Sequence, residues 1–247
     1  MLFYGKSDVG KRRAVNQDDF VIKKCSDDVM FVVVCDGMGG AAGGNIASSL
    51  ATAAFCEVMD EADKINPSFF GMTEEEITDL LISAVDAANE RVFNKSGEDP
   101  TLEGMGTTLV GCLLTGEKLY VVNVGDSRLY AERDGVIEQI SHDHSYVQYL
   151  VDIGKMTPEE AKEAKNKNII TRAVGTEKSV VADVFETTVK PGNHIVLCSD
   201  GLTNMVEDSE IAEKIALGDL QLACESLIDL ANERGGLDNI TSVILEA

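Results

Sequence analysis

The chain has 247 residues, 44% hydrophobic and 26% charged, enough for one or two domains with a sizeable core and unlike a disordered tail. Its 43 acids against 21 bases leave a net charge of −22. That balance argues against nucleic-acid binding by phosphate neutralisation and against docking on an anionic membrane. It leaves an anionic substrate open, because charges beyond about 8 Å are largely screened at physiological salt and a local cationic centre can decide recognition.

In chain order, residues 31–35 (FVVVC) form a short apolar, β-branched run that predicts a buried strand. Residues 43 to about 61 are Ala-rich and predict a helix. Thr73 and Glu76 form a capping box before Ile77, Leu80, Leu81, Ala84, Val85 and Ala88 at helical spacing. Strands are expected at 107–114 and 119–124, then a hairpin of 129–133 and 136–140 about Asp134-Gly135. Thr157-Pro158-Glu159-Glu160 starts a short helix with proline at its first position. A strand at 195–198, a helix from Asp219 to Gly235-Gly236 and a strand at 240–245 follow. Strands come in runs rather than alternating with helices, which favours an α+β fold of mainly antiparallel sheets covered by helices.

The start of the chain carries no apolar signal-peptide core. The uncharged stretch 37–56 is long enough to span a membrane, but its five glycines with Asn45, Ser48, Ser49 and Thr52 make it too polar. The six cysteines are widely spaced with no CxxC pair, suggesting neither disulfides nor zinc. A reduced, cytoplasmic protein is expected.

One local design recurs. FVVVCDG sets Asp36 after a buried strand with Gly37 next, LYVVNVGDSR does the same for Asp126, and IVLCSDG for Asp200 before Gly201. Asp238 stands just ahead of the last strand. A carboxylate at the mouth of a dry core is costly unless paired, protonated or bound to a metal. Several converging from strand ends make an oxygen-rich site suited to Mg²⁺ or Mn²⁺, and a glycine beside the acid, as at Gly37, lets a ligand approach the backbone. Taken singly, each Asp-Gly is an ordinary turn signal. Upstream, Arg13 precedes Asn16-Gln17-Asp18-Asp19. A guanidinium fork suits a phosphate dianion, although an arginine in a KRR cluster is commonly a solvated surface residue.

With these residues together, the chain resembles the metal-dependent protein phosphatase (PPM, protein phosphatase type 2C) family in its compact bacterial form. The matching segments are SDVGKRRAVNQDD (7–19), VVVCDGMGGAAGG (32–44), MGTT (105–108), NVGDSRLY (123–130), SHDHS (141–145), ITRAVG (170–175), PGNHIVLCSDGLT (191–203) and GGLDNITSVIL (235–245). The resemblance implies a four-layer αββα sandwich, one catalytic domain over 1–247 with a flap at about 145–171, and hydrolysis of phosphoserine and phosphothreonine in phosphoproteins at a two-ion Mn²⁺ or Mg²⁺ centre. By position, Asp36 would bridge the two metals, with Asp200 and Asp238 completing the first and the Gly37 carbonyl serving the second. Asp18 would hold metal-bound water, Asp126 matches a third, weaker metal position, and Arg13 would grip the phosphate. A cognate Ser/Thr kinase is an implied partner; no coiled-coil or interface motif appears, and a monomer is expected.

Many relatives carry a histidine in the glycine-rich segment, where this chain has Met38 and Ala41. That removes a candidate general acid, a role typically worth ~10²–10⁴-fold, for which water or His144 is the substitute. The flap holds Lys155, Lys162, Lys165 and Lys167, either a solvated helix face or a substrate-steering cluster. His142 and His144 read as structural, since residues two apart on a strand face opposite sides and no third ligand is near; His194 reads as a surface or turn residue. Thr107 and Thr108 are explained as well by β-propensity as by hydrogen bonds to the site. Two other classes remain open. Gly37-x-Gly39-x-x-Ala42 fits a dinucleotide fingerprint, disfavoured by the charge of Asp36. A pseudo-enzyme that binds phosphoproteins without turnover, or a phosphatase for non-protein phosphoesters, would keep the same residues.

Overall fold

The computed structural model describes residues 1–247 except for the side chains of Ala41 and Ala42, so what was expected of those two positions lies outside the described residues. Eleven strands and seven α-helices follow one another: β1 (Leu2–Asp8), β2 (Asp18–Lys24), β3 (Val29–Met38), α1 (Gly40–Ile65), α2 (Glu74–Glu98), β4 (Gly106–Thr107), β5 (Leu109–Thr115), β6 (Lys118–Val124), β7 (Arg128–Arg133), β8 (Val136–Gln139), α3 (Tyr146–Asp152), α4 (Pro158–Glu163), β9 (Asp183–Thr188), β10 (His194–Cys198), α5 (Asp200–Thr203), α6 (Asp208–Ile215), α7 (Leu220–Glu233) and β11 (Ile240–Glu246). One sheet has the order β1-β11-β10-β7-β8, the other β2-β3-β5-β6-β9 with β4 added beside β3, and every pairing is antiparallel.

Three apolar cores make the layers. Phe31, Val33 and Cys35 from β3 pack with Ala51, Phe55, Leu81 and Val85 of α1 and α2. Met30, Val32 and Val34, the alternate residues of β3, meet Leu129, Leu197 and Val243 between the sheets. Val196 and Ile244 pack with Ile211, Leu227 and Ile228 of α6 and α7. Because β3 is buried on both faces, its sequence is a continuous apolar run rather than an alternating one. The αββα sandwich is therefore the observed architecture.

The capping box at Thr73 is complete: the Thr73 N–H donates to Glu76 Oε2 (2.7 Å) and the Glu76 N–H to Thr73 Oγ1 (3.2 Å). Thr157 and Glu160 close a second one at α4. Asp134 and Gly135 take φ of 54° and 83°, the double left-handed turn that a two-residue hairpin needs. The expected strand over 107–114 divides at Thr108, whose N–H donates to the Asp36 carbonyl (2.9 Å) and breaks the ladder between β4 and β5. Strands β1, β2 and β9 and helices α3, α5 and α6 carried no sequence expectation. The dinucleotide reading fails on topology, since β3 lies antiparallel between β2 and β5 and no βαβ unit follows it.

Candidate metal centre

One edge of the sandwich collects the acids. Asp36 lies within β3 and stands opposite Asp18, the first residue of β2. Asp126 occupies the turn from β6 to β7, Asp200 opens α5 directly after β10, and Asp238 precedes β11. Antiparallel pairing brings these ends together, because the end of β10 meets the start of β11 at Cys198 and Ser242. Arg13, Asp36, Gly37, Asp126, Asp200 and Asp238 line one recess of about 530 Å³. Asp18 sits behind it, with its Oδ2 accepting from Ser199 Oγ (2.7 Å) and Thr241 Oγ1 (2.6 Å).

Of the Asp-Gly pairs, only Asp134-Gly135 is a turn. A Cβ at Gly37 would fall on the Gly44 carbonyl and within 2.7 Å of the Gln17 oxygen, and one at Gly201 would fall on the Asn239 carbonyl. These glycines are required by close backbone packing, with φ in the ordinary range. Gly201→Ala is accordingly expected to destabilise the protein by about 1–3 kcal/mol, the usual cost of overpacking, and to weaken Mn²⁺ binding by displacing the segment that carries Asp238. Thermal unfolding with and without Mn²⁺ checks both effects, and an unshifted midpoint would show that the backbone gives way freely.

The electrostatics are those of a site short of cations. Burial pushes the Asp18 carboxyl up to about 7 against the pull of the Thr241 and Ser199 hydroxyls, with Asp200 and Asp238 adding to the rise. Asp36 is raised well above the usual carboxylate range, first by burial and then by Asp18, Asp200, Asp126 and Asp238. Burial also raises Asp126, with Asp200 next, and Asp200, with Asp238 next. Arg13 answers one of them, its Nη2 donating to Asp238 Oδ2 at 2.7 Å with the arginine side chain 50% exposed at the mouth. The buried Oδ1 atoms of Asp18 and Asp200 accept no hydrogen bond. Orphaned oxygens among mutually repelling acids are the donor set a hard divalent cation satisfies. Among the described residues no three of these side chains form a closed ligand group. Their oxygens are instead turned to Arg13, to the Asn204 amide (2.9 Å to Asp200 Oδ2) and to the hydroxyls behind Asp18.

Thr107 and Thr108, left open between β-propensity and hydrogen bonds to the site, make those bonds, whereas Ser127, Asn239 and Ser199 were missed from sequence. Thr108 Oγ1 accepts from the Asp36 N–H (2.9 Å) and lies 2.7 Å from Ser127 Oγ, linking the strand of Asp36 to the loop of Asp126, while Thr107 Oγ1 donates to the Asp36 carbonyl (2.9 Å). Asn239 clamps the loop that carries Arg13: its Nδ2 donates to Val9 (2.9 Å) and Val15 (3.1 Å) and its Oδ1 accepts from Gln17 (2.8 Å). The available signal was a lone polar residue at the end of an apolar run, as with Ser199 after Ile195–Cys198.

The histidines are structural. Residues 142–144 form a loop rather than a strand, His142 Nε2 pairs with Asp152 (2.9 Å), and His194 opens β10 against Glu132 (2.7 Å). His144 is 5% exposed. It accepts the Gly125 N–H at Nδ1 (3.1 Å), faces Asp183 through Nε2 (3.1 Å), and burial lowers its pKa. Both ring nitrogens are thus engaged away from the recess, whose described lining does not include His144, and this removes it as the substitute general acid. In the flap segment, Lys162 pairs with Glu207 (2.5 Å). Lys162 and Lys167 line a second groove that reaches Asp126 and Asp200, while Lys155 and Lys165 face solvent.

Comparison with known proteins shows the family and agrees with the fold. Residues 7–229 match the protein phosphatase 2C family, and the chain belongs to it. The serine/threonine phosphatase stp of Listeria monocytogenes is 34% identical over 98% of this chain and 94% of its own length. The crystal structure of the Mycobacterium tuberculosis serine/threonine phosphatase PstP superposes with a TM-score of 0.88 at 35% identity, covering 100% of this chain and 99% of that one. A catalytic domain of PstP solved in complex with two manganese ions superposes at 0.84 with 34% identity, covering 99% and 97%.

Proposed function

We propose that this protein is a metal-dependent protein-serine/threonine phosphatase, hydrolysing phosphoserine and phosphothreonine monoesters in phosphoproteins. The observation that carries the reading is the convergence of Asp36, Asp126, Asp200 and Asp238 on one recess with a single guanidinium, Arg13, at its mouth.

Asp36 would be shared by two Mn²⁺ or Mg²⁺ ions, Asp200 and Asp238 would complete one, the Gly37 carbonyl would serve the other, and Asp126 would hold a third, weaker ion. Bound there, such ions supply Lewis acidity towards the phosphoryl oxygens and a lowered water pKa. The chain does the rest. Thr107 and Thr108 hold the Asp36 backbone in place, Ser199 and Thr241 orient Asp18 behind the recess, and Arg13 on its Asn239-clamped loop is placed to grip an incoming phosphate. With no histidine among the described lining residues, the serine or threonine leaving group takes its proton from solvent.

The whole chain is read as one catalytic domain whose flap, about residues 145–171, is closed at its base by the bridge between Ser145 and Ile170. Its substrates presuppose a Ser/Thr kinase that makes them. The six free cysteines fit the reducing cytoplasm, among the described residues no helix is long and apolar enough to cross a membrane, and a monomer is the simplest assembly.

The test is phosphate release from phosphoserine, phosphothreonine and phosphotyrosine peptides with Mn²⁺, Mg²⁺ or EDTA. Turnover of the first two with metal and none in EDTA is expected. Turnover indifferent to EDTA removes the metal reading, and none under any condition favours a phosphoprotein-binding pseudo-enzyme.

A further inference from the structure

A second recess of about 370 Å³ adjoins the carboxylate site. Met38 and Ile170 line both, so each forms part of a shared wall. Beyond that wall the lining is mixed: Ala173, Val180, Val181 and the Thr176 methyl make an apolar patch beside Thr171, Arg172, Glu177 and Ser179. Met38 Cε and Thr176 Cγ2 come together over Gly106, lying 3.0 and 2.7 Å from where a Cβ on that glycine would sit. Val181 is 70% exposed and Ile169, beside the shared wall, 54%.

The recess is held in shape from several sides. Its floor, residues 170–173, is tied at one end by the Thr171 N–H on the His144 carbonyl (2.7 Å) and just beyond the other by paired bonds between Val174 and Thr107 (2.8 and 3.0 Å). The far wall is joined to the floor by Arg172, whose Nη1 donates to the Val181 carbonyl (3.3 Å) and to Asp183 (2.7 Å). A preformed recess that sets an apolar patch among polar groups can seat an apolar side chain, and one fixed before binding costs little ordering to fill.

What fills it follows from continuity with the metal recess. A phosphorylated side chain seated among the carboxylates carries its own polypeptide past the shared wall. An extended chain advances roughly 3.4 Å per residue, so a neighbour about two or three residues away reaches across one methionine side chain. We propose that this recess is a subsite for an apolar side chain, such as leucine, isoleucine or methionine, flanking the phosphorylated residue of a substrate peptide. The proposal rests on the phosphatase reading and adds a sequence preference to it.

The experiment compares phosphothreonine peptides carrying leucine or alanine at each of the flanking positions, with p-nitrophenyl phosphate as a substrate that has no flanks. The enzyme is the full chain with Mn²⁺, either unaltered or as Val181→Asp or Thr176→Arg, two exposed positions on different parts of the rim. Expected is a preference for leucine of about tenfold in kcat/KM at one position, the scale of a few methylenes in a pocket. Both variants should abolish it and leave p-nitrophenyl phosphate turnover unchanged. Peptide turnover with no leucine preference, or a preference that survives both variants, overturns the subsite alone. Loss of p-nitrophenyl phosphate turnover in both variants also overturns it, because the recess then supports the reacting centre rather than the peptide. Absence of turnover on every substrate overturns the phosphatase reading and the subsite with it.

Discussion

Asp36→Asn is expected to lower kcat/KM for a phosphothreonine peptide by at least about 10³-fold while raising the thermal midpoint of the metal-free protein. The activity loss follows from the proposed place of Asp36 between two cations. Metal ions supply several kcal/mol of transition-state stabilisation, and about 4 kcal/mol corresponds to about a thousandfold in rate. The gain in stability follows from the same residue without metal. Burial and the carboxylates of Asp18, Asp200, Asp126 and Asp238 all disfavour the charged form of Asp36, so a neutral amide of the same shape relieves the repulsion. Such an exchange of stability for activity is the expected behaviour of a strained functional site. Phosphate release in Mn²⁺ and unfolding in EDTA are the two measurements. A variant that kept its activity would place the essential acid elsewhere, and one less stable in EDTA would show that Asp36 is a structural acid already satisfied in the metal-free state.

The second large effect is a coupling between metal and pH. A carboxyl whose folded pKa is raised contributes stability that is fully present below its unfolded value, about 3.9, and is lost as pH rises through the folded value. For Asp18 that value is about 7, and Asp36, Asp126 and Asp200 are also raised. The metal-free protein is therefore expected to lose stability between about pH 4 and about pH 7–8. Metal reverses the sign, because cation binding requires the deprotonated acids. At a Mn²⁺ concentration of about 100 times Kd the gain is ~2.7 kcal/mol, or about 5–11 °C for a chain of this length. That increment should be found near pH 8 and largely disappear near pH 5.5, as seen by thermal unfolding in Mn²⁺ against EDTA. Equal increments at both pH values would mean that the acids are already ionised without metal.

Much of the site was legible because it is written in short local units. Asp36, Asp126, Asp200 and Asp238 each stand beside an apolar strand, and a charge in that setting needs an external partner wherever the strand lies in the fold. The glycines were legible as special but not for the right reason. Their need for a bare Cα comes from the Gly44 carbonyl, which the turn into α1 folds back onto Gly37, and from the Asn239 carbonyl, nearly forty residues from Gly201, and no local pattern announces either contact. Nor did the register of β2 on β3, which sets Asp18 opposite Asp36, have a local signature.

The strands divide in the same way. Runs such as Phe31–Cys35 and Ile195–Cys198 lie inside their sheets with apolar neighbours on both faces, so their own residues declare them. The unpredicted strands β1, β2 and β9 are all sheet edges, half-buried and carrying charges such as Lys6, Asp18, Lys23 and Glu186. Charge is how an edge is kept from pairing with another chain, and it erases the pattern that would reveal the strand. The edge strand β8 was predictable only because the turn before it, Asp134-Gly135, is itself local. By themselves the residues determined which segments must be buried and which acids needed a partner, since burial and turn chemistry act over a few positions. Which ends of the strands share an edge, that Arg13 meets Asp238, and that His144 faces Asp183 rather than the recess depend on pairings across up to 225 residues, and only the packed sheets decide those.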